Sequence, residues 1–294
     1  MTFLEALYVN PLLLAALMAG LAASLVSGII GSYVVVKRIV FISGSISHSV
    51  LGGIGFCLWL DRVQGITWLS PLYGALIAAI LSAWTIAWIR RHYRQREDSA
   101  IAALWSIGMA VGVLFISQTP GFNVELTNFL IGNILWVSHE DLMLLWALNG
   151  VVLATVFCLH KRFLAICFDE EHAQLQGLPI HGLYITLLTL IAISIVLLIQ
   201  TVGVILVMTM LTIPPAIANL FTMSLSRMML IAVILNIVFC LTGMQMAYTL
   251  DWPGGATIAL LAGVAYIGGL LLSARRQCIQ RAVSALQPST SSSQ

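Results

Sequence analysis

The stretch FISGSISHSVLGGIGF at 41–56 sets one histidine in the middle of an apolar run. On a helix, Gly44, His48, Gly52 and Gly55 share a stripe through i, i+4 and i+7 spacing, with Ser43 and Ser47 on the adjacent stripe. Imidazole suits zinc and other borderline divalent ions, and hydroxyls can serve as auxiliary oxygen donors. A face of Gly and Ser also lets another backbone approach closely. His48 is therefore either a ligand on an ion path or a packing histidine hydrogen-bonded to a neighbouring helix, and the residues alone favour neither. The other five histidines lie in loops or at the ends of apolar runs. An ionisable group well inside such a run points to function by default.

Other groupings invite a chemical reading and carry it less well. Asp169, Glu170, Glu171 and His172 resemble a ligand cluster, but consecutive helical positions do not face one way. Asp169 instead suits an N-cap, with Glu170 and Glu171 favourable in the first turn. Gly177 is a natural stop, and Pro179 prevents continuation. The spacing predicts a short helix over 169–177, with Ala173 near its middle. His139, Glu140 and Asp141 are read as a helix cap before Leu142 rather than a metal site. Met208, Met210, Met244 and Met246 could serve copper(I) as thioethers, yet Met is common apolar filler and they are taken as packing. The cysteines at 57, 158, 167, 240 and 278 form no CxxC or CxxxC pair and give no disulfide framework.

The elements that must position these groups follow from composition. Hydrophobic residues make up 60% of the chain and charged residues 8%, against roughly 25% charged in a soluble domain. So few charges cannot cover a soluble surface of this length. Apolar runs recur near 11–36, 39–60, 66–89, 99–118, 142–159, 182–201, 203–222, 228–249 and 254–274. Each approaches the ~20 residues that cross a bilayer as a helix, and all eleven carboxylates fall outside them. The expected fold is all-α and polytopic, with about nine crossings. Pro214-Pro215 in the run 203–222 would reduce these to eight if that run were a half-helix.

Placing the N-terminus outside leaves twelve of the thirteen Lys and Arg on the cytoplasmic side, with Arg62 the exception. The positive-inside rule selects that orientation and a cytoplasmic C-terminus. These cations serve topology and give no support to nucleic-acid binding. One membrane domain is expected over 1–276, followed at 277–294 by a polar, Ser-rich tail read as disordered. The segment 127–138 is too short to cross alone and is read as an interfacial or re-entrant element. No GxxxxGK[ST] loop occurs, so any ATP-driven step must draw on another chain.

Four segments, in order, carry a family resemblance. SGSISHSVLGG at 43–53 is similar to the motif Gly-Asp-Ala-Leu-Ser-His-Ala-Val-Leu-Pro-Gly of the ABC-3 permeases, the membrane subunits of zinc, manganese and sometimes iron importers. FDEEHAQLQGLP at 168–179 resembles their coupling helix, and TVGVILVMTMLTIPPAIANLFT at 201–222 their Pro-containing segment. LDWPGGATIALLAGVAY at 250–266 resembles the run before their last span. The resemblance covers 10–275.

It implies a non-catalytic subunit of a bacterial inner-membrane importer, working as a pair with a second copy or paralogue. Cytosolic ATPase subunits would use the ATP, and an extracytoplasmic solute-binding protein would deliver the metal, which is cargo rather than a bound cofactor. The coupling helix would contribute Asp169, Glu170, Glu171, Ala173 and Gly177. His48 carries over as the family's ion-meeting histidine, whereas the Asp that often precedes it by four residues is Gly44 here. That loss leans toward imidazole-preferring zinc over oxygen-preferring manganese. The runner-up, a secondary transporter or channel without an ATPase, would call for intramembrane acids or a polar pore. A zinc protease would call for HExxH, which is absent.

Overall fold

The computed structural model describes residues 9–66, 68–93, 97–121 and 137–286, together with positions 5, 129 and 132; of Glu97 and of 276–286 only the backbone is described. Every regular element among these is helical. The chain runs through α1 (Pro11–Val36), α2 (Val40–Gln64), α3 (Pro71–His92) and α4 (Glu97–Gln118). It continues with α5 (His139–Phe168), the short α6 (Glu170–Leu175) and α7 (Ile180–Val202). Then follow α8 (Val204–Phe221), α9 (Leu225–Leu250) and α10 (Gly254–Leu286). All but α6 are long and apolar enough to cross a membrane, giving nine candidate spans among the described residues.

Local chemistry starts and stops these helices. Asn10 caps α1 by accepting from the Leu12 amide at 3.0 Å, with Pro11 in the first turn where its missing N–H costs nothing. Ser138 and Asp141 form a reciprocal capping box at the start of α5, a device worth about 1 kcal/mol. Gly65 ends α2 at φ 71°, a left-handed conformation that favours glycine.

The long helices α1 and α7 are buried on much of their circumference, as continuous apolar runs must be when they lie inside a bundle. Helix α1 packs on α9, α8 and α5, while α3 packs on α2 and α7. Helix α4 rests on α2 and leaves most of its apolar surface exposed, including Ile107, Val113 and Leu114. Such faces suit lipid. The α2–α3 crossing is made by glycine on both sides: a Cβ on Gly53 would lie 2.1 Å from the Gly74 carbonyl oxygen, and one on Gly74 would lie 2.4 Å from that of Gly53. Small residues at such crossings let two backbones meet.

The proline pair does not break the seventh crossing. Helix α8 continues through Pro214 and Pro215, and its 18 residues span about 27 Å. Neither proline can donate to the carbonyl four residues back, at Met210 or Leu211. Asn236 of α9 donates to Met210 O at 3.2 Å. Leu211 O faces Gly31 of α1, where an added Cβ would sit 2.3 Å away. Neighbouring helices thus cover both freed carbonyls, and the eight-crossing alternative is not adopted. A single residue, Gly203 at φ 82° and ψ 160°, joins α7 to α8.

Two boundaries differ from expectation. Helix α5 extends past 159 to Phe168; its 30 residues reach about 45 Å, more than a bilayer core of ~30 Å. Lys161 and Arg162 therefore lie on helix, not in a loop. The tail expected to be disordered from 277 is helical as far as Leu286, while 287–294 lie outside the described residues. The expected element at 127–138 also falls largely outside them; at its described positions, Phe129 and Val137 are buried and Gly132 lies against the Val202 carbonyl at the α7–α8 joint.

Candidate functional site

His48 lies in the third turn of α2 and is part-exposed. Its ring stacks on Trp105 of α4, with centroids 4.4 Å apart and planes 16° from parallel. Stacking on the ring face leaves the two imidazole nitrogens, which point along the ring plane, clear of the indole. One turn earlier, Gly44 leaves room for the same indole: a Cβ there would lie 3.1 Å from Trp105 and 3.4 Å from the Met208 methyl. Trp105 Nε1 donates to Met109 Sδ at 3.2 Å, and Ser47 Oγ approaches Met208 Sδ at 3.4 Å.

The two serines are less available than their spacing suggests. Ser43 Oγ donates to Val40 O at 2.7 Å and Ser47 Oγ to Ser43 O at 2.9 Å, the usual back-bonding of hydroxyls inside helices. Each hydroxyl keeps lone pairs as an acceptor. The neighbourhood described around His48 is therefore imidazole, indole, thioether and hydroxyl. No group of three or more His, Cys, Asp or Glu that could hold a metal occurs among the described residues.

The backbone that the glycine stripe admits belongs to the same chain. A Cβ on Gly52 would meet Gly108 O at 3.0 Å and one on Gly55 would meet Gly112 O at 2.8 Å. Helix α4 of the same chain thus fills the stripe and leaves no room there for a second copy. The signal was present in the sequence as Gly108-Met-Ala-Val-Gly112, a GxxxG pattern in an apolar segment. Trp105 was missed as the partner of His48, with Met109 beside the indole and Met208 beside Ser47, because no local pattern links α4 or α8 to α2.

At the opposite end of α5, the short helix α6 forms as its caps dictate. Asp169 Oδ1 accepts from the His172 amide at 2.8 Å, and Gly177 follows the last turn at φ 75°. Its faces divide sharply. Ala173 is fully buried, whereas Glu171, His172 and Gln174 are exposed and Leu175 is 86% exposed. Ala173 is thus a packing residue, and the free face is Glu171, His172, Gln174 and Leu175.

Glu170 turns the other way, bonding Lys37 Nζ and receiving Arg90 Nη2 at 2.8 and 3.1 Å on its two oxygens. Burial alone would push this carboxyl up; the Lys37 hydrogen bond and the Arg90 and Lys37 charges outweigh it and hold it below the usual carboxylate range. A cavity of about 510 Å³ opens beside it, lined in part by Arg91, Glu171 and His181.

The remaining groupings are structural. Asp141 is taken up by Ser138 and by Gln200 Nε2, at 2.8 Å, as the cap reading expects. Met210 and Met244 are buried, with Cys240 Sγ 3.9 Å from Met244 Sδ. The described cysteines 57, 158, 167 and 240 are free thiols.

The family model of the ABC 3 transport family matches residues 10–273. The chain belongs to that family. This ABC 3 family protein is 50% identical over 262 residues to a Chlamydia trachomatis protein described as "Probable metal transport system membrane protein", covering 89% of each chain. It is 30% identical to the Listeria monocytogenes "Manganese transport system membrane protein MntC", over 95% of this chain and all of that one. Among solved structures, "PsaBC from Streptococcus pneumoniae in complex with Fab" superposes with a TM-score of 0.76 at 27% identity, covering 91% of this chain and 94% of that one. With nine apolar helices among the described residues, this ABC 3 family member is a multi-pass bacterial membrane protein.

Proposed function

We propose that the chain is the membrane-spanning subunit of an ATP-driven importer of divalent metal ions, with His48 on the ion's path. It works with a second copy or paralogue, with cytosolic ATPase subunits that dock on the exposed face of α6, and with an extracytoplasmic metal-binding protein. The observation that carries this reading is His48 itself: an ionisable side chain inside a span, part-exposed, with ring nitrogens free of the Trp105 stack. Burying such a group for packing alone is costly. A lone imidazole with weak thioether and hydroxyl neighbours binds an ion loosely, which suits a conduit because an ion held tightly would not leave.

The metal is read from two sides. The donors near His48 favour zinc over manganese, which prefers carboxylate and water oxygens. The Listeria relative's name supports manganese. Metal content of a deletion strain, measured by inductively coupled plasma mass spectrometry after growth in metal-limited medium, decides between them. A zinc or manganese deficit restored by the plasmid-borne gene is expected. Unchanged divalent metal content, with unchanged initial uptake rates, overturns the importer reading.

Orientation has its own expected result. The end of the bundle holding Lys37, Arg90, Lys161 and α6 faces the cytoplasm. With the five native cysteines replaced, an impermeant maleimide should label Gln118→Cys in intact cells and miss Gln174→Cys until the cells are opened. Both positions are exposed in the fold. Labelling of Gln174→Cys in sealed cells inverts the topology.

A further inference from the structure

We propose that Glu170 is the joint through which movement of α6 reaches the helix carrying His48. The inference rests on the reading of α6 as the ATPase docking element and adds how the motion leaves it. Along the chain α6 connects only to α5 and α7, neither of which contains His48. Through space it is tied elsewhere. The Glu170 carboxylate binds Lys37, in the turn between α1 and α2, and Arg90, at the end of α3.

Lys37 also donates to the Ile166 carbonyl in the last turn of α5, and its side chain is only 8% exposed. The turn holding it is stiff: Lys37, Arg38 and Ile39 amides bond back to Tyr33, Val35 and Val34 carbonyls at 2.9, 3.1 and 3.0 Å. Helix α2 begins at Val40 and reaches His48 in its third turn. Arg90, in turn, lies over the Tyr184 ring of α7 at 4.3 Å. Its helix, α3, meets α2 backbone to backbone at Gly74 and Gly53.

One carboxylate shared by two cations resists shear between α6 and the starts or ends of α2 and α3. A single neutral hydrogen bond is roughly half as strong as a charge-assisted one. The free face of α6 is left for the partner, because Glu170 and Ala173 point inward while Glu171, Gln174 and Leu175 do not.

The test uses the complete transporter, permease with its ATPase and binding protein, in proteoliposomes. Three readings are taken on each variant: ATPase retained on the purified permease, ATP hydrolysed, and metal taken up. E170Q keeps the shape and loses the charge. It is expected to retain the ATPase and to hydrolyse ATP, while metal moved per ATP falls about tenfold; E170D, which keeps the carboxylate, is expected to recover most of it. A purely structural role would lower uptake and hydrolysis together with protein level, leaving their ratio unchanged. An unchanged ratio in E170Q overturns the joint. Should E170Q fail to accumulate, K37M makes the same measurement, since Met keeps the apolar stem and removes the cation. A wild-type permease that recruits no ATPase at all would end the docking reading and the joint together, an outcome distinct from an unchanged ratio in a complex that assembles.

Discussion

His48→Ala is expected to lower metal uptake per folded molecule by roughly tenfold or more, the scale on which groups around bound metals act. Protein level in the membrane should stay close to wild type, because the lost ring contributes one stack on Trp105, itself part-exposed. His48→Gln separates this from a packing role. An amide can replace the imidazole's hydrogen bonds but ligates zinc poorly, so zinc uptake should fall in this variant as well. Normal zinc uptake in His48→Gln, or unchanged metal uptake per folded molecule in His48→Ala, removes His48 from the path. The neighbouring Gly44→Asp is not a simple restoration of the common family pair. Its Cβ would come within 3.1 Å of Trp105, so the indole must shift before a carboxylate can face the ion.

Gly53→Val should have the largest effect on folding. The added side chain would drive into the Gly74 carbonyl oxygen, 2.1 Å from the new Cβ, and into Ala78 at 2.7 Å. The nearest obstacle is backbone, which no rotamer change can move aside. Overpacking a core ordinarily costs about 1–3 kcal/mol, and this contact belongs at or above the upper end. Fluorescence-detected size exclusion in detergent should show most of the variant lost or aggregated. Gly150→Val is the control: nothing lies within 4 Å of its Cβ, and the position is exposed on α5. If Gly53→Val accumulates and melts like Gly150→Val, the α2–α3 crossing is not as close as described.

Features governed by neighbours in the chain were legible before the fold was known. The nine apolar runs, the Asp169 cap, the Gly177 stop and the phase of His48 with Gly44, Gly52 and Gly55 are all local. Periodicity says which residues share a face and is silent on what covers it. Hence the glycine stripe was legible, while its filling by α4 required noticing Gly108 and Gly112 more than fifty residues on. Pro214-Pro215 was ambiguous for the same reason, since the donor that satisfies Met210 O sits on Asn236 of another helix. Glu170 looked like one acid among three; only the fold brings Lys37 and Arg90 to it.

The one-residue link at Gly203 bears on how the chain enters the bilayer at synthesis. Between Ile180 and Phe221 there is no Asp, Glu, Lys or Arg. A joint this short cannot wait in water on the far side while the next helix is made, so α7 and α8 must partition into lipid together as a hairpin. Its tip carries only Gln200 and Thr201 as polar side chains, which makes that passage cheap. The hairpin itself holds no charge to say which way it points. Under the positive-inside rule its direction is inherited from Lys161 and Arg162 before it and from Arg227 after it, and Gln200 at the tip donates to Asp141 at the head of α5.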